Sequence, residues 1–172
     1  IAERDGLIRE ELRLPLTRPT AAWPGEPIPA TFVRPQGDGP FPAVLYIHAH
    51  GGAYEIGRSE LFDGRPMLAS GAYASSLVAQ GLAVLAIDLP CFGERRHWTE
   101  AALAKRLLWQ GDTLFGVMLR ELAAGLDHLA GRPAVDAPRI AAMGGSMGAT
   151  LAWWLAALDA RGRPRQRILE VV

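Results

Sequence analysis

The sequence predicts an α/β domain built on a mostly parallel sheet with helices on both faces. Three apolar runs, 42–48, 81–90 and 138–145, are nearly continuous, as in strands covered on both sides. Segments of helical composition separate them, and alternation of strand and helix is the pattern of a doubly covered parallel sheet. Gly-rich text follows the first and third runs, "HAHGGAY" and "GGSMGA", and in such sheets sites form at the carboxyl ends of the strands.

In chain order, "ELRLPLT" (11–17) and "PATFVRP" (29–35) alternate apolar and polar residues and are bounded by Pro. They predict two exposed or edge strands, paired antiparallel at the start of the sheet. The Pro- and Gly-rich stretch 35–42 is a loop. "PAVLYIH" (42–48) is the first buried strand, and a helix is expected over about 67–80. "GLAVLAIDLP" (81–90) is the second buried strand, closed by Asp88 and Pro90; a helical stretch then runs over 99–130 with a break near Gly111 and Asp112. "PRIAAMGG" (138–145) is the third buried strand, Ser146–Leu158 has helical composition, and "QRILEVV" (166–172) reads as one more buried strand.

With 172 residues and 49% apolar content, residues 1–172 are read as a single domain. Eighteen Lys and Arg balance 18 Asp and Glu, so no basic field gathers nucleic acid. No apolar run is long enough to span a bilayer, and no membrane is expected among the partners. Cys91 is the only cysteine, which rules out an internal disulfide and a cysteine-based zinc site and fits a reducing, cytoplasmic compartment.

The chemistry centres on Gly144-Gly145-Ser146-Met147-Gly148, a G-x-S-x-G placed between a buried strand and a helix. A sharp strand-to-helix turn holds such a serine in a strained conformation, and its neighbours two residues away must lack side chains. Ser146 is the candidate nucleophile, Gly144, Gly145 and Gly148 form its elbow, and the Met147 N–H points where an oxyanion would form. The competing reading is a tight Gly turn with Ser146 as a helix cap. Upstream, "HAHGGAY" is where this architecture draws its second oxyanion donor, from Gly52 or Ala53, with His50, Gly51 and Asp88 as loop support.

The segments "YIHAHGG", "AIDLPCFGERR", "LWQGDTLFGVML" and "MGGSMGATLAWW" resemble the dienelactone-hydrolase-like and acetyl-esterase-like branch of the α/β-hydrolase superfamily, from about Ala43 to Asp159. The resemblance implies a three-layer α/β-hydrolase sandwich and cofactor-free hydrolysis of a small-molecule carboxylic ester through a Ser146 acyl-enzyme. Dienelactone hydrolases proper are expected to carry Cys at the nucleophile position, so Ser146 favours esterase chemistry over lactone opening, and the acetyl-esterase-like resemblance implies short-chain acyl or acetyl esters as substrates.

A serine needs a base, and in this fold the order is Ser, acid, His. Only Asp159 and Glu170 follow Ser146 among the acids, and no His follows at all. Three explanations are open. The chain is a C-terminally truncated fold lacking its last strands; a second copy or another chain completes the triad across the exposed sheet edge, making a homo-oligomer; or His97, from an earlier loop, serves as base. The first two also allow a non-catalytic fragment that binds another chain through its open edge.

Other chemistries fit less well. His48 and His50 form an H-x-H at a strand end, but further metal ligands are lacking and no metal is expected. Gly52-x4-Gly57-Arg58-Ser59 departs from a phosphate-binding loop because Arg stands where Lys is needed. His128, Trp153 and Trp154 read as structural residues on helices, and Cys91 as a packed thiol.

Overall fold

A computed structural model describes residues 2–4, 6–15, 19–66, 68, 71–162 and 168–171. Its strands are β1 (Ala2–Arg4), β2 (Leu7–Leu14), β3 (Ile28–Pro35), β4 (Phe41–Ile47), β5 (Ala83–Ile87), β6 (Val135–Gly144) and β7 (Ile168–Val171). They form one seven-stranded sheet in the order β1-β2-β3-β5-β4-β6-β7. β5, β4, β6 and β7 run parallel, while β1, β2 and β3 join antiparallel through the β3–β5 pairing.

The antiparallel pairing of β2 with β3 is as expected, in register from Leu7 opposite Pro35 to Leu14 opposite Ile28. β2 is partly exposed, as expected, but β1 takes the edge, and β3 is neither exposed nor at the edge: it lies inside, between β2 and β5, buried from Ile28 to Val33. The polar position that gave β3 its alternation is satisfied internally. The Thr31 hydroxyl donates to Glu11 at 2.8 Å and accepts from Arg58 Nε at 3.0 Å.

The helices are α1 (Glu60–Asp63), α2 (Ala74–Ala79), α3 (Glu100–Trp109), α4 (Leu114–Ala130) and α5 (Met147–Gly162). Successive residues of the central strands face opposite layers. Leu45, Ile47, Leu85 and Ile87 pack with Leu122, Leu126, Leu151 and Leu155 of α4 and α5; Val44, Tyr46, Val84 and Ala86 pack with Leu61 and Leu77 of α1 and α2. Helices therefore cover both faces.

The long stretch after β5 breaks where the sequence predicts, at Gly111, whose φ is 76°. Thr99 and Thr113 cap the two pieces, accepting from Ala102 N at 3.3 Å and Gly116 N at 3.0 Å. The helix expected over 67–80 is shorter, confined within the described residues to Ala74–Ala79, and α1 precedes it. Gly64 ends α1 at φ 67°, where a Cβ would stand 2.6 Å from the Gly71 carbonyl carbon, so two turns of chain cross too closely for helix to continue. Of the expected last strand, 168–171 is β7; 166, 167 and 172 lie outside the described residues.

On the α4 side, buried Glu121 pairs with Arg95, which donates from Nη2 to Oε1 at 2.8 Å and from Nη1 to Oε2. Glu121 also accepts from the Trp23 indole at 3.0 Å, and Arg95 reaches the Asp88 carbonyl at 3.0 Å. These bonds tie the segment before β3 and the loop after β5 to α4.

Candidate active site

The turn from β6 into α5 carries Ser146 in the left-handed region at φ 53°, one of two non-glycine residues so placed among those described. That conformation costs on the order of 1–3 kcal/mol and persists only where surrounding structure enforces it. The enforcement is visible in the flanking glycines. A Cβ on Gly144 would lie 2.6 Å from the Ile47 carbonyl oxygen and 2.7 Å from the Gly148 carbonyl carbon, and one on Gly148 would overlap that same oxygen. β4, β6 and the first turn of α5 thus meet at backbone contact. Gly148 N donates to Gly145 O at 2.8 Å and Thr150 N to Ser146 O at 3.1 Å, closing the turn beneath an exposed Ser146. Met147 opens α5, so its N–H belongs to the first-turn donors that lack an intrahelical acceptor.

Beside this elbow runs the loop after β4. His48 is fully buried, its Nε2 accepting from Leu89 N at 3.3 Å and its Nδ1 donating to Ala49 O at 3.0 Å. Burial holds its pKa below the ordinary value. His50 is half-buried: Nδ1 accepts from Gly52 N at 3.1 Å, which leaves Nε2–H to donate to Glu100 Oε2 at 2.9 Å. The Tyr54 hydroxyl donates to the same oxygen at 2.7 Å. Burial alone would raise the Glu100 pKa, but these two donors outweigh it and hold the carboxyl below its usual range.

Asp88, completely buried at the end of β5, accepts from Arg58 N at 2.7 Å and Glu94 N at 3.0 Å and pairs with the Arg58 guanidinium. A Cβ on Gly57 or Gly93 would overlap its carboxylate. Asp88 therefore organises two loops.

No family model matches the chain. A Bacillus subtilis protein named "Putative hydrolase YtaP" is 41% identical over 162 residues, which are 94% of this chain and 52% of that protein. The chain thus spans about half the length of this curated relative. Among solved structures, one described as a "putative acetyl xylan esterase" from Bacteroides fragilis superposes with a TM-score of 0.70 at 20% identity, over 91% of this chain and 43% of the other. A "Putative Dienelactone Hydrolase" from Klebsiella pneumoniae gives 0.56 at 23%, over 89% and 55%. The chain has the α/β-hydrolase fold.

On this α/β-hydrolase framework the residues singled out in the sequence divide into two groups. Ser146, Met147 and the elbow glycines form one turn, packed directly against the end of β4 and the start of the HGG loop. The two loop amides expected as oxyanion donors are already committed: Gly52 N–H to His50 Nδ1, and Ala53 N–H to His50 O at 3.3 Å. Neither is presented to a substrate in this arrangement, because the loop curls back on its own histidine. The expected base is also elsewhere. His97 is exposed and faces Glu26, with Nε2 3.2 Å from Oε2, and among the described residues no histidine nitrogen is hydrogen-bonded to Ser146 Oγ.

The other readings also find their places. His48 and His50 turn to different partners, and among the described residues no three His, Cys, Asp or Glu side chains converge to hold a metal. Cys91 is buried, which pushes its thiol up to about 11, so it is protonated and inert near neutral pH. His128 lies beside Arg132, and its pKa is lowered by burial and by that cation. No helix among the described residues is long and apolar enough to cross a membrane.

Sequence reasoning missed Glu60, Arg65 and Glu100, three charged residues bound to the loop after β4. A signal was present: "SELFDGRP" follows the HGG loop by only a few residues, and a Glu and an Arg there are close enough to fold back on it.

Proposed function

We propose that this chain carries the nucleophile half of a serine hydrolase that cleaves carboxylic esters of short acyl groups. The observation that supports this most is the left-handed Ser146 held between Gly144 and Gly148, because strain of that kind at an exposed hydroxyl is what a nucleophile elbow requires. Ser146 Oγ attacks the carbonyl carbon while its proton passes to a base. The negative oxygen is held by the Met147 N–H at the start of α5, together with an amide of the HGG loop. The ester C–O bond then breaks, the alcohol leaves with the proton, and water releases the acid from the acyl-enzyme. The base comes from outside the described residues of this chain, supplied by a second copy, by another chain, or by further sequence of a longer protein.

The test is hydrolysis of p-nitrophenyl acetate by the 172-residue chain beside Ser146→Ala, with intact mass after exposure to a fluorophosphonate. Turnover and a single adduct, both lost in Ser146→Ala, are expected where the base is present in the chain or its oligomer. Absence of both in the wild type would favour a non-catalytic fragment that binds another chain, and would overturn autonomous esterase activity.

A further inference from the structure

Beneath the HGG loop lies a buried ion pair that the acyl-transfer scheme leaves unused. Glu60 is completely buried and Arg65 nearly so, and the Arg65 Nε meets Glu60 Oε2. Isolating two charges from water is costly, and pairing alone rarely offsets it. Here every further bond of the pair goes to one place. Glu60 accepts from Ala49 N at 3.1 and 3.2 Å and from the Tyr46 hydroxyl at 2.8 Å. Arg65 donates to Ala49 O at 2.9 Å and to His50 O at 3.0 Å. The pair grips the backbone at the exit of β4, immediately before Gly51.

That grip has a directional consequence. In a trans peptide the C=O and the following N–H point in opposite directions. The His50 carbonyl is turned to Arg65, which reaches up from the layer that holds Tyr46, Leu61 and Leu77. The Gly51 N–H is therefore turned away from that layer, toward the side where α5 packs through Leu151 and Leu155 and where Gly148 abuts the Ile47 and His48 carbonyls. With Gly52 N–H taken by His50 and Ala53 N–H by the His50 carbonyl, Gly51 is the amide of the three aimed toward the nucleophile. Its φ of 53° suits a residue without a side chain.

We propose that Glu60 and Arg65 are positioning residues that hold the Gly51 N–H as the second oxyanion donor to an ester bound at Ser146. This deepens the serine-hydrolase reading and rests on it. Arg65→Lys keeps the charge but cannot span two carbonyls with a fixed fork. Glu60→Gln keeps an acceptor for Ala49 and Tyr46 while removing the charge that orients Arg65. The experiment follows the Gly51 and Gly52 amide resonances by 15N-edited NMR in the 172-residue chain and both variants, beside kcat and KM on p-nitrophenyl acetate and Tm.

The expected result is a displaced Gly51 resonance and a kcat lower by roughly 10- to 100-fold, with KM changed less than about twofold. A Gly51 resonance and kcat unchanged in a folded variant would overturn the proposal, even if Tm falls, because a purely structural pair would lower stability alone. If the wild type shows no turnover, the esterase reading fails for this chain and the Gly51 resonance decides the positioning claim by itself: displaced, it stands; unmoved, it falls. Should Arg65→Lys not fold, Glu60→Gln carries the same comparison.

Discussion

His48 and His50 stand two residues apart at the end of β4, and their surroundings give them different work. His48 has no exposure to speak of, and both ring nitrogens are used by backbone, one as acceptor from Leu89 and one as donor to Ala49. That arrangement needs the neutral ring, which burial also favours. In the unfolded chain the ring takes a proton below its ordinary pKa of about 6.5, whereas in the folded chain it does so only at lower pH. The unfolded state then binds more protons, so stability contributed by His48 is intact above that value and is lost as pH falls below it. Urea unfolding at pH 7.5 and 5.5 is expected to show wild type losing more stability between the two than His48→Gln. Equal losses would mean that the ring is not held neutral. His50 touches solvent and bonds a loop amide on one side and a carboxylate on the other.

At the level of elements, the junction of β4, β6 and α5 decides whether the elbow can exist. Gly148 faces the Ile47 carbonyl so closely that a methyl group there must push α5 off the sheet, whereas a Cβ on Gly145 would meet only Leu68 Cδ2 at 3.8 Å, an ordinary contact. Gly148→Ala is expected to cost about 3 kcal/mol of stability through overpacking against backbone, and Gly145→Ala less than about 0.5 kcal/mol. Equal effects in chemical denaturation would contradict the close approach. This junction was legible in the sequence, since G-x-S-x-G between an apolar run and an Ala-rich segment encodes it locally. The buried strands β4 and β5 and the break at Gly111 were legible for the same reason, each being set by neighbours in sequence; the expected third buried strand, β6, is instead fully buried only at Ile140 and Ala142 within 138–145, with Pro138 and Arg139 exposed. The interior place of β3 was not, because its alternation described a half-exposed strand and Thr31 is sheltered by Glu11 and Arg58, 20 residues before it and 27 after it. The state of the HGG loop was equally hidden. Its backbone groups are bonded by His50, Glu60 and Arg65, and glycine spacing carries no record of those partners.

Across the whole molecule, one sheet separates two apolar layers and belongs to both. Leu45 and Leu85 face α4 and α5 while Val44 and Val84 face α1 and α2, so neither layer can be lost without stripping one face of β4 and β5. A single cooperative unfolding transition is expected. Tryptophan fluorescence, which includes buried Trp23 on one face, should coincide in urea with far-UV circular dichroism; separated midpoints would show that the layers unfold apart. The strand order has a further consequence for how the chain comes to be made. β4 sits between β5 and β6, yet it leaves the ribosome before either, while β3 must bond β5 across the place that β4 occupies in sequence. The N-terminal hairpin can close early, but β4 waits with both edges bare until β5 is complete at residue 87, and with its β6 edge bare until residue 144 has been added. That interval of synthesis is when the nascent chain is most open to mispairing, and where a chaperone holding residues 41–47 would have the greatest effect on yield.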